Sequence, residues 1–184
     1  MKKTIWKLDP AHSVIQFKIK HLMISTVTGQ FKEFEGTVET EGEPFSNAKV
    51  HFSADIHSIS TNNDQRDAHL RNSDFFDADA FPRLIFEGDG LEKLDEENYE
   101  LKGVLTIRGI GRRVKFAAEF GGLIRDPQGN NRVGFELTGK ISRKDFGVSF
   151  GLGADSSKRL LGEEVKIQAS VQLVEQVPEL VAMA

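Results

Sequence analysis

The chain has 184 residues, a formal net charge of −4 and no cysteine. That length suffices for one domain with a sizeable core. The absence of cysteine excludes a disulfide framework and a thiolate metal site, and the acidic balance argues against nucleic acid as the main partner. Two lysines open the sequence, but Thr4-Ile5-Trp6-Lys7-Leu8-Asp9 supplies no apolar signal core, and no stretch nears the ~20 apolar residues of a membrane span. The expected compartment is therefore the cytoplasm.

Period-two alternation predicts strands along most of the length. In residues 13–21, Ile15, Phe17, Ile19 and His21 share one face. Residues 30–39 align Phe34, Gly36 and Val38, while Phe31 breaks their phase and predicts a bulge near Glu33. Ala48, Val50, Phe52, Ala54 and Ile56 form the next inward set. The pattern then stops. Residues 63–72 read as one short helix, with Thr61 or Asn62 as its cap, Asp64 or Gln65 reaching back, and Asp67 paired to Arg71 four residues on. A Phe-rich turn follows (Phe75, Phe76, Phe81), so the helix with its aromatic skirt is expected to act as a plug or lid.

Extended structure resumes at residues 84–87, around Phe86. Further alternating sets are Tyr99 to Ile107, then Val114, Phe116, Ala118 and Phe120, then Val133, Phe135, Leu137, Gly139 and Ile141, then Val165 to Leu173. Turn chemistry at residues 95–98, 108–111 and 126–131 separates them. Residues 142–163, with Arg143, Lys144 and Phe146 at their start, have weak periodicity and read as a mobile loop. Residues 1–176 are expected to form one domain and 177–184 a loose C-terminal tail. Successive strands without interleaved helices mean an all-β, antiparallel fold, wet on one face. About eight such strands close into a barrel with room for side chains or one small ligand; a β-sandwich is the competing architecture.

Chemistry is sparse. His51, Asp55 and His57 lie on one predicted strand face, but at ~3.3 Å per residue the two histidines stand about 20 Å apart. They cannot share an ion, and His69 could approach only one of them, so no metal or other cofactor is expected. Asp9, His12 and Ser13 are close in sequence, yet no Gly-x-Ser-x-Gly elbow exists, and Asp9-Pro10-Ala11-His12-Ser13 reads better as an Asx or Ser turn. There is no phosphate loop or dinucleotide fingerprint. Fourteen Phe against one Trp and one Tyr suit a dry, adaptable cavity as well as an ordinary Phe-rich core. His21 continues an apolar face. It reads either as a satisfied core histidine or as a polar anchor inside an apolar pocket. Arg66, Asp67, His69 and Arg143 are similar candidates at a pocket mouth.

An ordered set of segments carries a resemblance. It comprises Trp6-Lys-Leu-Asp-Pro-Ala-His-Ser-Val14, Phe17 with His21-Leu22, Gly29-Gln-Phe31, Phe34-Glu-Gly36, Ser58-Ile-Ser-Thr61, Arg66-Asp-Ala-His-Leu70, Asp74-Phe-Phe-Asp77 and Phe81-Pro82. Gly103-Val-Leu-Thr-Ile-Arg-Gly109, Ser142-Arg-Lys-Asp-Phe-Gly147 and Gly162-Glu-Glu-Val165 complete it. Over roughly residues 4 to 175 the chain resembles the YceI-like family of lipid-binding proteins. The resemblance implies an antiparallel, lipocalin-like β-barrel of about eight strands with one helix near residues 63–72. It also implies a long apolar ligand, a polyisoprenoid or other long-chain amphiphile, no catalysis, and a homodimer. The lumen is then expected to be lined by Ile15, Phe17, Ile19, Phe31, Phe34, Phe52, Phe75, Phe76, Phe86, Phe116, Phe120, Phe135 and Phe146, with His21, Arg66, His69 and Arg143 as its polar groups. A lipid-modifying enzyme and a structural or stress protein with a filled core are the alternatives.

Overall fold

The computed structural model describes residues 2–42, 45–151 and 161–177. Among these residues, eleven strands and one α-helix follow in order: β1 (Lys3–Leu8), β2 (Val14–His21), β3 (Ser25–Phe31), β4 (Phe34–Glu41), β5 (Lys49–Asp55), β6 (Ile59–Ser60), α1 (Asp64–Arg71), β7 (Arg83–Lys93), β8 (Asn98–Ile107), β9 (Ile110–Arg125), β10 (Asn131–Ser142) and β11 (Leu161–Gln176). Every pairing is antiparallel, and the ring β1-β4-β5-β7-β8-β9-β10-β11 closes through β1–β11. A closed ring of eight excludes the sandwich and removes exposed edges. β2, β3 and β6 are continuations of β1, β4 and β5 beyond interruptions: β11 pairs with β1 over Leu173–Gln176 and with β2 over Leu161–Ser170.

The alternating sets point inward as predicted, and their apolar members make the core. Trp6, Leu8, Phe86, Leu101, Leu105, Phe116, Phe135 and Ala169 are all buried. β1 was not among the predicted strands. Its inward residues, Trp6 and Leu8, are only two, too few to establish a period. The predicted bulge near Glu33 is instead a corner between two strands. Across from Lys32 and Glu33, β5 ends and a 3₁₀ turn, Ile56–Ser58, begins. Ser58 Oγ accepts from the Lys32 and Glu33 backbone N–H groups at 3.1 and 3.0 Å. The ladder is thus interrupted on both strands, with the Ser58 hydroxyl accepting from both N–H groups and the Ser58 carbonyl from that of Lys32 as well, at 3.2 Å.

α1 falls between β6 and β7, where the chain leaves the sheet. Its cap is Asn63, whose Oδ1 accepts from Arg66 N–H at 2.9 Å, and not Thr61 or Asn62. Asn62 sits at φ +61, and the Thr61 hydroxyl is held by Asp67. Nor does Asp67 pair with Arg71. It is buried and accepts from Thr61 N and Oγ1 at 2.8 and 2.6 Å, while Arg71 donates to the His57 carbonyl. Residues 143–150 of the predicted loop are ordered and begin with a 3₁₀ turn, Arg143–Phe146, in which Arg143 and Phe146 are buried. Residues 152–160 and 178–184, which the loop and tail expectations also covered, lie outside the described residues. Among the described residues, no helix is long and apolar enough to cross a membrane.

At the end opposite α1, the β4–β5 connection folds Phe45 inward to 1 % exposure. Its ring meets Trp6, Phe120 and Phe135 at centroid distances of 5.3, 6.3 and 5.1 Å. Nearby, Arg132 ties the β9–β10 loop to the N-terminal turn, with Nε to Asp126 at 2.7 Å and Nη1 to Asp9 at 2.8 Å. Asp9 also accepts from Ala11 N–H and pairs with His12, the turn expected from sequence. Arg132, with added backbone N–H bonds, holds the Asp126 carboxyl down from 3.8 to about 2. A carboxylate depressed on folding stabilises the native state above its ordinary pKa and loses that contribution as pH falls through the folded value. Asp126→Asn should therefore flatten the stability–pH slope between pH 3.8 and about 2. Denaturant midpoints measured through that window test this; an unchanged slope would show that the pair contributes nothing.

A lumen lined by flattened aromatic rings

Closing eight strands does not by itself leave a void, because inward Phe side chains can fill it. Here several rings lie flat against the wall over glycines. Gly29 stands directly opposite Phe17, and a methyl group on it would come within 2.2 Å of that ring. One on Gly139 would come within 2.4 Å of Phe116, and one on Gly103 within 2.8 Å of Phe86. Only glycine permits this approach. With the rings turned to the wall, a cavity of about 550 Å³ remains along the axis.

Of the residues expected to line it, Ile15, Phe17 and Ile19 from β2, Phe31 from β3, Phe52, Phe86, Phe116 and Phe135 from the sheet, Phe75 and Phe76 from the turn after α1, and Phe146 all do so. Phe34 and Phe120 point inward but are set back. Phe34 packs on Phe52 at 6.1 Å, and Phe120 lies behind Phe45. The alternation also carries aliphatic residues that complete the wall, among them Leu101, Leu105 and Ile167, whereas the expected lining named Ile15 and Ile19 as its aliphatic members. Phe45 and Phe150 line the cavity too, but they sit in connections, where no periodicity marks them.

All four expected polar groups come to the α1 end of the cavity. Their roles differ. Arg143 is 4 % exposed. Its guanidinium donates to the backbone carbonyls of Gly162 at 2.8 Å, Val148 at 3.0 Å, Phe150 at 2.7 Å and Leu161 at 3.3 Å. It clamps the chain around the opening. The His69 ring stacks edge-on against Phe75 and Phe150, and its Nε2 lies 2.9 Å from Asp74. Arg66 is exposed and uses Nε and Nη2 on Thr61, leaving Nη1 without a partner among the described residues. The half-buried His21 side chain likewise makes no hydrogen bond among the described residues.

The remaining histidines each face carboxylates: His51 with Glu87, His57 with Asp55 and Asp79, His12 with Asp9. His57 lies in the 3₁₀ turn after β5 and not on the strand with His51. Among the described residues no three His, Asp or Glu side chains gather as a metal would need. Ser13 Oγ accepts from the Gln172 N–H, so it is a strand tie.

A family model described as the YceI-like domain matches residues 6–173. A UPF0312 protein of Staphylococcus aureus (strain bovine RF122 / ET3-1) is 38% identical over 170 residues, covering 92% of this chain and 96% of its own. Among solved structures, the Campylobacter jejuni YCEI protein superposes with a TM-score of 0.73 at 34% identity, over 87% of this chain and 91% of that one. A polyisoprenoid binding domain from Saccharophagus degradans superposes with a TM-score of 0.72 at 14% identity, over 93% and 98%. That last likeness is one of fold.

Proposed function

The chain belongs to the YceI-like family, and from that premise we propose that it binds a long apolar lipid, a polyisoprenoid or similar amphiphile, inside the barrel without altering it. The observation that carries this reading is the axial cavity of about 550 Å³ bounded by Phe and aliphatic side chains. A ligand of this kind is held by area, at about 25 cal/mol per Å² of apolar surface removed from water, and needs few polar contacts. A relative of the same fold is described as a polyisoprenoid binding domain, which supports the ligand class. The void also speaks against the filled-core alternative. Native mass spectrometry of the purified protein, followed by lipid extraction, is the test. An extended lipid should accompany the barrel and emerge unchanged after incubation. Hydrolysis or transfer of that lipid would move the reading to an enzyme, and an empty barrel that takes up no added lipid would end it. The resemblance adds a homodimer, which sedimentation velocity decides.

The polar head of such a lipid belongs at the α1 end, near Arg66 and His21. Arginine suits a phosphate head because its planar fork binds two oxygens at once. Arg66→Ala should weaken binding of a prenyl phosphate by about 1–3 kcal/mol, the worth of hydrogen bonds to charged groups. The neutral prenyl alcohol should bind almost normally. Equal losses for both ligands, read by fluorescence competition, would assign Arg66 to the fold.

A further inference from the structure

The β2–β3 hairpin ends beside the opening, directly after His21. Its turn is closed by Ile24 N–H to His21 O at 3.2 Å, with Leu22 at φ +53 and Met23 at φ +60. Two left-handed residues at these positions define the turn that Asn-Gly ordinarily fills, because branched and bulky side chains are disfavoured there. No packing offsets that backbone cost: Leu22, Met23 and Ile24 are 47%, 65% and 85% exposed. Three successive apolar side chains are therefore held in solvent, on a turn that favours other residues.

The wall below the tip is unusual as well. Lys18 on β2 stands directly opposite Lys166 on β11, which stands opposite Lys140 on β10. All three point outward, since their neighbours Phe17, Ile19 and Ile167 line the lumen. Like charges placed directly across strands are destabilising. Lys140 reaches Glu164 at 3.8 Å. Glu163 is engaged by Ser142. Lys18, Lys166 and Lys20, which flanks the tip, make no ion pair among the described residues.

We propose that this hairpin is a docking element for an anionic lipid bilayer. Leu22, Met23 and Ile24 enter the headgroup–acyl boundary while Lys18, Lys20 and Lys166 meet lipid phosphates, setting the mouth of the lumen against the membrane. An apolar tip with a collar of long basic side chains is the arrangement that interfacial binding uses. A protein partner fits less well, because three side chains on a convex knob fall far short of the ~800 Å² per side of a stable interface. The inference rests on the lipid-binding reading, since it supplies the route by which the ligand reaches the cavity.

The test is flotation with phosphatidylglycerol/phosphatidylcholine vesicles against phosphatidylcholine alone. It compares the natural chain, the double variant Leu22→Asn/Met23→Gly and the variant Lys18→Gln/Lys20→Gln/Lys166→Gln. The Asn-Gly turn suits the hairpin, so that variant should fold at least as stably. Its vesicle affinity should fall about 10- to 100-fold, as expected from losing two interfacial apolar side chains. The Gln variant should lose its preference for anionic vesicles. Both should still load prenyl lipid delivered from detergent micelles. Vesicle binding by the Asn-Gly variant equal to that of the natural chain, or no vesicle binding by the natural chain, would overturn the proposal. So would loss of a dimer in the Asn-Gly variant by sedimentation velocity, which would put a second copy on the tip. Failure of every variant and the natural chain to load lipid from micelles would instead strike the lipid-binding reading itself.

Discussion

A Phe116→Asp variant should lose lipid uptake, by about two orders of magnitude or more, because an unpaired carboxylate in an apolar lumen is not compensated by any partner. Phe116 is 8 % exposed, lies over Gly139 and meets Phe86 edge-on at 5.5 Å. The substitution therefore removes wall area and introduces charge together. Phe116→Leu separates the two, since it keeps the site apolar and should keep most of the uptake. Phe52→Asp, at a half-buried position in the same wall, repeats the test with less harm to folding. Burial raises a carboxyl pKa, so uptake by either Asp variant should recover in part as pH falls and the side chain becomes neutral. Normal loading of a folded Phe52→Asp protein at neutral pH would place the lipid outside the barrel.

Arg143→Ala should cost about 3 kcal/mol or more of folding stability. The arginine satisfies four backbone carbonyls around the opening, and leaving buried acceptors unpaired costs roughly 1–3 kcal/mol each before water re-enters. For a domain of this size that is a fall of about 6–12 °C in Tm. Arg143→Lys should recover little, because an ammonium cannot reach four acceptors spread across a planar fork. Thermal and denaturant unfolding of the lipid-free protein measure both. A loss below about 1 kcal/mol would mean that the carbonyls are readily hydrated and that the clamp is dispensable. Any change in lipid affinity should be similar for phosphate and alcohol heads, in contrast to Arg66→Ala.

The residues that could be read from sequence were those governed by local periodicity. Phe17, Phe52, Phe116 and Phe135 alternate with polar neighbours, and a one-residue slip would have turned each to solvent. Their inward placement followed, and with it the ring of strands. The helix followed because α1 breaks the alternation. What was not legible depends on contacts distant in sequence. Asn63 caps α1 because Thr61 is already committed to Asp67 and Arg66. The corner at Lys32 and Glu33 depends on Ser58, some 25 residues on. Arg143 looked like a group for a ligand head because a lone arginine in a loop ordinarily faces solvent. Its carbonyl partners reach as far as Gly162, 19 residues away. Phe45, in a turn between two strands, carried no signal at all.

Phe45 has a consequence for selectivity. Its ring bounds the lumen at the end away from α1, so on the proposed reading an extended guest would come to rest against a fixed floor. With the head placed at His21 and Arg66, as proposed, the depth between floor and rim would be a gauge of chain length. A guest shorter than this gauge leaves Phe45 facing a gap and forgoes apolar contact there. A longer one must leave methylenes in water at the rim, each costing about 0.8 kcal/mol. On that reading the barrel should discriminate among homologues of one lipid series by how many carbons fit below the rim, with no polar group reading the tail.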